Sequence, residues 1–287
     1  MSEHPDELDQ ILRAFDPAQR SRIANFLHRS ASRALVLATT PMGRVHAIHN
    51  WLNAHGLPPG ESDQQAPEGS KGNSLMLPDP GALPTLSLQH ALERRRSHYR
   101  YLNHPLPVTL LAALLHHALR IAPRERQGAD VALPLSRAPS AGGLNPITVH
   151  VATRNVDGLS AGVYSYDRAG HALARIRKGD PTGALTTVYG QTEFADRAPV
   201  TLLLTAAVHV PMGRYGVRHY RTLHIDAGIV AQNLYLVSTA LGLGGCAVTG
   251  YRDTTASRLL GFEENDIVMM LFPVGEPCGA RQLDAVR

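Results

Sequence analysis

Six apolar residues, Leu223, Ala227, Val230, Leu234, Val237 and Leu241, recur at alternating spacings of four and three before Gly242. That rhythm keeps one continuous apolar seam along a single face of an α-helix, and the glycine supplies its stop. Just upstream, Pro199 to Val208 holds Val200-Thr201-Leu202-Leu203-Leu204, a strand apolar enough for the middle of a sheet. Shorter strands are predicted at Thr148 to Ala152, Val163 to Tyr166 and Ile267 to Val274, and helices at Leu88 to Tyr99 and Val108 to Arg120. The strands are spaced too irregularly for repeated βαβ units. An α+β fold without internal repeat is therefore expected.

Toward the N-terminus the pattern changes. Residues 6–56 read as helices: Leu8, Ile11, Leu12 and Phe15 share one face, and Asp16-Pro17 is a cap and first-turn pair. Val45, Ile48 and Leu52 form another stripe, stopped by Gly56 and Pro58-Pro59. Prolines and glycines then crowd a stretch with few large apolar side chains, the composition of a linker or an extended strap. The expected organisation is a helical unit over 1–56, a linker or strap over 57–86 and the main domain over 87–287.

With 287 residues, 44% hydrophobic and 18% charged, the chain has apolar mass for a core and lacks the profile of a disordered protein. A formal net charge of +4 is too mild to argue for nucleic acid and suits an anionic small ligand. Cations in the N-terminal helices are dispersed, without the turn signature of a DNA-reading helix pair. Cys246 and Cys278 make neither a disulfide framework nor a metal-ligand spacing, so no metal site is expected. The acidic, polar start is not a signal peptide, and no apolar run reaches membrane-spanning length. A cytoplasmic protein without membrane or nucleic-acid contacts is the expectation.

Four segments carry chemical potential, each beside a plainer reading. Arg95-Arg96-Ser97, with Arg94 before it, offers guanidinium forks and a hydroxyl suited to a phosphate monoester; it also reads as a solvated basic helix end. Pro139-Ser140-Ala141-Gly142-Gly143-Leu144-Asn145-Pro146 lets a ligand approach the backbone closely, or is a turn into a strand. It is neither a nucleophile elbow nor a phosphate loop, since Ala138 replaces the first glycine of Gly-x-Ser-x-Gly. In Arg214-Tyr215, nearby cations favour a tyrosinate able to act as a general base; the alternative is a basic surface loop. Gly242-Leu243-Gly244-Gly245-Cys246, leading to Thr249-Gly250-Tyr251, either ends a helix or presents amides to a ring.

In this order the segments resemble the nitroreductase superfamily of FMN enzymes, and most closely the azoline dehydrogenases of ribosomal-peptide pathways, the SagB or McbC type. The similarity spans residues 87–278. Arg95-Arg96-Ser97 matches the FMN-phosphate motif, and Pro139 to Leu144 with Pro146 matches a segment specific to that branch. Gly162-Val163-Tyr164-Ser165-Tyr166-Asp167 matches its Gly-x-Tyr-x-Tyr-Asp. Asp226-Ala227-Gly228, Gln232-Asn233-Leu234 and Gly242-Leu243-Gly244 match its long helix.

The resemblance implies a nitroreductase-like mixed or antiparallel sheet flanked by helices, in a homodimer with FMN at the interface. The implied FMN contacts are Arg95, Arg96, Ser97, Pro139, Ser140, Ala141, Gly142, Gly143, Asn145, Gly250 and Tyr251. It implies a peptide substrate carrying thiazoline or oxazoline rings made by a partner cyclodehydratase. A base removes the ring Cα proton, hydride leaves the neighbouring carbon for the flavin, and an aromatic azole results. Tyr215 fits the base. Arg214 stands where the branch has lysine; arginine stays charged, so its implied role is electrostatic support. A nitro- or quinone reductase using NAD(P)H, and a non-catalytic flavin-binding scaffold of a cyclodehydratase complex, are the alternatives.

Overall fold

The structure, a computed structural model, describes residues 74–124, 133–207, 219–261 and 266–278. The chain divides into two units. One comprises residues 65–207 and 222–287; of the other, residues 1–64 and 208–221, only 219–221 are among the described residues. The helical stripes expected over 6–56, and the expected strap before Ser74, lie outside the described residues.

In chain order the elements are β1 (Ser74–Met76), α1 (Leu88–Arg94), β2 (Leu106–Pro107), α2 (Val108–Leu119), β3 (Ile121–Arg124) and β4 (Leu133–Ser136). A 3-10 turn (Ala141–Gly143) follows, then β5 (Ile147–Thr153), β6 (Val156–Asp157), β7 (Gly162–Asp167) and β8 (Ala172–Lys178). The remainder is α3 (Thr182–Val188), α4 (Glu193–Arg197), β9 (Val200–Ala207), α5 (His219–Ala240), β10 (Gly244–Gly245), α6 (Asp253–Leu260) and β11 (Asp266–Gly275). Seven strands form one sheet in the order β1-β8-β7-β5-β9-β11-β10, every neighbouring pair antiparallel. The architecture is α+β.

β9 lies between β5 and β11, and its Val200, Leu202, Leu203 and Leu204 are fully buried. An unbroken apolar run suits a strand covered on both faces. Each such side chain contributes about 1.5–3 kcal/mol relative to leaving it in water. Along α5 the seam residues Leu223, Ala227, Val230, Leu234 and Val237 are buried, together with Asp226 and Ser238. Gly242 (φ 73°) closes the helix: Leu243 N–H donates to Ser238 O at 2.8 Å and Gly242 N–H to Thr239 O at 3.2 Å. These are the two bonds of a Schellman stop.

Among the features that differ from the sequence expectation or go beyond it, three concern the sheet and the basic segment. Helix α1 ends at Arg94, short of Tyr99, because the chain turns extended at Arg95. Ser97 then forms a parallel bridge with Gly245, and His98 N–H donates to Gly245 O at 3.1 Å. Tertiary pairing overrides a helix-favouring run. Strand β8 went unread: only its first residues, Ala172 and Leu173, are buried, and Arg175, Arg177 and Lys178 give its exposed end a loop-like composition. Finally, β1 falls within the stretch read as linker or strap and forms an edge of the sheet.

The Gly162–Asp167 motif is strand β7. Tyr164 and Tyr166 are buried; the first donates its hydroxyl to Ser160 O at 2.8 Å, and the second lies 2.8 Å from His171 Nδ1. Asp167 caps the following turn through the Ala169 and Gly170 amides. The next residue, Arg168, is buried and donates to Leu119 O at 2.8 Å, Ile147 O at 2.9 Å and the Ser136 hydroxyl. It therefore joins α2, β4 and β5. Burial lowers its pKa to about 10, leaving it charged at neutral pH.

Candidate functional site

The basic segment after α1 meets the far end of α5. Ser97 Oγ lies 3.0 Å from the hydroxyl of Tyr235, and the Arg95 guanidinium carbon sits 5.1 Å from the centre of the same ring. Ala247 N–H donates to the Tyr235 oxygen at 2.7 Å, and Phe272 packs edge-on against the ring at 5.0 Å. One phenol thus joins three stretches of chain. Arg96 instead folds back on its own helix end, donating to Glu93 O at 2.6 Å and Arg95 O at 2.9 Å. It satisfies carbonyls that a helix terminus leaves open.

The glycine pair opposite this segment is required by close approach. A Cβ at Gly244 would fall 2.7 Å from the His98 ring, and one at Gly245 2.3 Å from the Phe272 ring. Cys246 is buried beside them, with Sγ 3.6 Å from Ala247 O. Burial raises its thiol pKa, and hydrogen bonds from the Tyr235 and Ser97 hydroxyls partly offset that.

The second element is the turn between β4 and β5. Gly142 (φ 59°), Gly143 (φ 70°) and Asn145 (φ 50°) all take left-handed backbone, which glycine adopts freely and asparagine tolerates. Ser140 Oγ accepts the Asn145 amide at 2.9 Å and donates toward Asn145 Oδ1 at 3.4 Å. Asn145 Nδ2 donates to Gly143 O at 3.0 Å. The turn is fastened to α5 by Ala141 N–H, which donates to Asp226 Oδ2 at 3.3 Å. Asp226 is only 3% exposed; burial raises its carboxyl pKa, and the Ala141 amide pulls it back. A shallow recess opens here, its lining including Ser140, Asn145, Pro146, Arg168, Asp226 and Val230.

Asp226 and Tyr235 are nine positions apart on α5, about two and a half turns and roughly 13 Å of rise. One helix therefore holds both the glycine turn and the basic segment. Gly250 has open space where a side chain would project, whereas Tyr251 donates its hydroxyl to Val268 O at 2.6 Å and pairs with Tyr189. Arg214 and Tyr215 lie outside the described residues. Sequence reading missed Tyr235 altogether. Its signal was a polar-tipped aromatic directly beside the seam residue Leu234, a position where the seam alone gives no reason for a hydroxyl.

The residues present fit the expected cofactor. A guanidinium and a hydroxyl at Arg95 and Ser97 match a phosphate monoester. Exposed backbone at Gly142 and Gly143, free of side chains, admits a planar ring at close range.

Residues 92–276 match the nitroreductase family. The chain belongs to that family. It is 31% identical over 201 residues, 70% of this chain and 95% of the relative, to a Methanocaldococcus jannaschii protein named as a nitroreductase. The solved structure of an Anabaena variabilis protein, also named as a nitroreductase, superposes with a TM-score of 0.56 at 29% identity. That match spans 65% of this nitroreductase-family chain and 37% of the other. A chain from the E. coli microcin synthetase McbBCD complex, solved with truncated pro-MccB17 bound, shares the fold at 19% identity and a TM-score of 0.57. The match covers 96% of this chain and 98% of that one. Among the described residues no helix is long and apolar enough to cross a membrane. A nitroreductase-family oxidoreductase is what these findings establish.

Proposed function

We propose that this chain is an FMN-dependent azoline dehydrogenase that oxidises thiazoline or oxazoline rings of a ribosomal peptide to thiazoles or oxazoles. The carrying observation is the pairing, along α5, of a phosphate-type donor set at Arg95 and Ser97 with the left-handed turn at Gly142–Asn145. FMN, when bound, supplies the hydride acceptor. Arg95 and Ser97 hold its phosphate, with Arg96 adding positive charge. The Pro139–Asn145 turn contacts its ring by backbone, and Gly250 and Tyr251 line the same site. Tyr215 removes the ring Cα proton, and the fixed charge of Arg214 stabilises the tyrosinate.

Support for the azoline branch comes from the Pro-Ser-Ala-Gly-Gly-Leu-x-Pro segment and from the likeness to the McbBCD chain along nearly the whole length of both proteins. The Gly-x-Tyr-x-Tyr-Asp match bears on the packing of β7, where both tyrosines are buried, and adds less to the case for substrate. The likeness to McbBCD also underlies the proposed partners, a cyclodehydratase and its modified peptide, acting in the cytoplasm. A homodimer is proposed as well. Leu88 and Leu92 lie one turn apart on α1 at 67% and 51% exposure, and Ile225 on α5 reaches 61%, apolar faces that a second copy would cover. Residues 1–56 are proposed as a separate helical unit joined through 57–86.

A second reading, an NAD(P)H-dependent nitro- or quinone reductase, is favoured by the identity to the Methanocaldococcus jannaschii relative over 95% of its length. Anaerobic mixing of the purified protein with a thiazoline-containing peptide separates the two. Bleaching of the visible flavin band, with loss of two hydrogens from the peptide, is expected. Flavin that stays oxidised with peptide but bleaches with NADPH would establish the reductase instead. In the azoline reading, Tyr215→Phe abolishes the peptide reaction and leaves bound flavin in place.

A further inference from the structure

Tyr235 has no part in the function proposed above, yet its side chain meets Ser97, Arg95, Ala247 and Phe272. Its phenol oxygen already accepts the Ala247 amide proton at 2.7 Å. A phenol has one proton to give and accepts poorly a second time. The Ser97 hydroxyl, 3.0 Å away, is the acceptor placed to receive that proton. Once Ser97 Oγ accepts from Tyr235, its own O–H is the proton left to give to a ligand. The Arg95 guanidinium is held against the same ring, 5.1 Å from its centre.

We infer that Tyr235 is a positioning residue for the phosphate site. Through the relay Ala247 N–H to Tyr235 and Tyr235 O–H to Ser97, it turns the Ser97 hydroxyl proton toward the phosphate of a flavin mononucleotide, and its ring seats Arg95. This rests on the reading of Arg95–Ser97 as the FMN-phosphate segment. The neighbouring Cys246 thiol donates to Ala247 O, and its sulfur is also within reach of the Tyr235 and Ser97 hydroxyls; a bound phosphate, being charged, is the stronger acceptor for the Ser97 proton.

The test compares binding of two flavins that differ only by the phosphate. The full-length chain, stripped of flavin, is titrated with FMN and with riboflavin, and the ratio of the two dissociation constants is the readout. Wild type should prefer FMN by about 100-fold, the scale of two charge-assisted hydrogen bonds. Arg95→Ala should collapse that ratio. Tyr235→Phe, which keeps the ring, should lower it about 10-fold while leaving riboflavin affinity within about 2-fold. Tyr235→Phe combined with Ser97→Ala should lose no more than Ser97→Ala alone.

If wild type binds both flavins alike, the phosphate reading itself fails. If Arg95→Ala collapses the ratio and Tyr235→Phe leaves it unchanged, the relay is overturned while the phosphate reading stands. Equal weakening of both flavins by Tyr235→Phe also overturns the relay, since it marks a merely structural role. Should Tyr235→Phe not fold, site-specific fluorinated tyrosine at 235 preserves the ring and strengthens the donor. A raised ratio supports the relay; an unchanged or lowered one overturns it.

Discussion

Ala141 donates its backbone N–H to the Asp226 carboxylate at 3.3 Å, across 85 residues of sequence. This bond ties a turn with three left-handed residues to the helix that carries the buried α5 seam. Asp226→Asn keeps an acceptor facing Ala141, and flavin affinity is expected to stay within about 3-fold of wild type. Asp226→Ala leaves the half-buried Ala141 amide without this partner, at a cost of about 1 kcal/mol. Flavin retention after gel filtration should fall, and the difference between the two variants is the measurement.

Gly245 backs directly onto the Phe272 ring, where a Cβ would sit 2.3 Å from Cε1. Gly245→Ala should destabilise the fold by about 1–3 kcal/mol through overpacking. In a thermal melt that is a drop of roughly 3–10 °C for a domain of this size. Gly183→Ala on α3, with nothing within 4 Å of its Cβ position, is the control and should leave the midpoint unchanged or slightly raised.

Several histidines are held neutral by the fold. Burial, followed by Arg137 and His171, lowers His116 to about 4; burial alone lowers His150 to about 4. Burial also lowers His98 and His171. The unfolded chain protonates these rings near pH 6.5, before the folded chain does. Stability is therefore complete above about pH 6.5 and is lost progressively as pH falls from there toward 4. Melting midpoints between pH 8 and 4.5 should show that decline, and His116→Gln should flatten it.

The exposed leucines of α1 bear on oligomeric state. In the homodimer proposed above, Leu92→Glu combined with Ile225→Glu places charge on both apolar faces. Light scattering should report a shift from dimer to monomer over the micromolar range, without loss of helical signal. An unchanged mass would remove these faces from the interface.

Much of this architecture was legible from local pattern. The α5 seam, its stop at Gly242, β9 and the final strand are all set by apolar spacing and one glycine. The pieces that were not legible depend on distant partners. Arg95 leaves the helical path because Ser97 and His98 pair with Gly245, far away in the chain. Strand β8 buries only Ala172 and Leu173, and its exposed end carries Arg175, Arg177 and Lys178, so its burial pattern gives little sign of a sheet strand. At the site, the Arg95–Ser97 and Pro139–Asn145 segments stand out by residue type alone, while Tyr235 and the anchoring role of Asp226 require the fold. An isolated tyrosine in an amphipathic helix has no sequence signature of its own.

Because the glycine turn and the basic segment are fastened to a single helix, their separation is inherited from helical geometry. A one-residue insertion between Asp226 and Tyr235 would rotate one anchor about 100° relative to the other and lengthen the gap by about 1.5 Å. Each flanking segment is tied to its own anchor by a hydrogen bond, so the change would fall on those two contacts. The length of this stretch acts as the gauge that sets their separation.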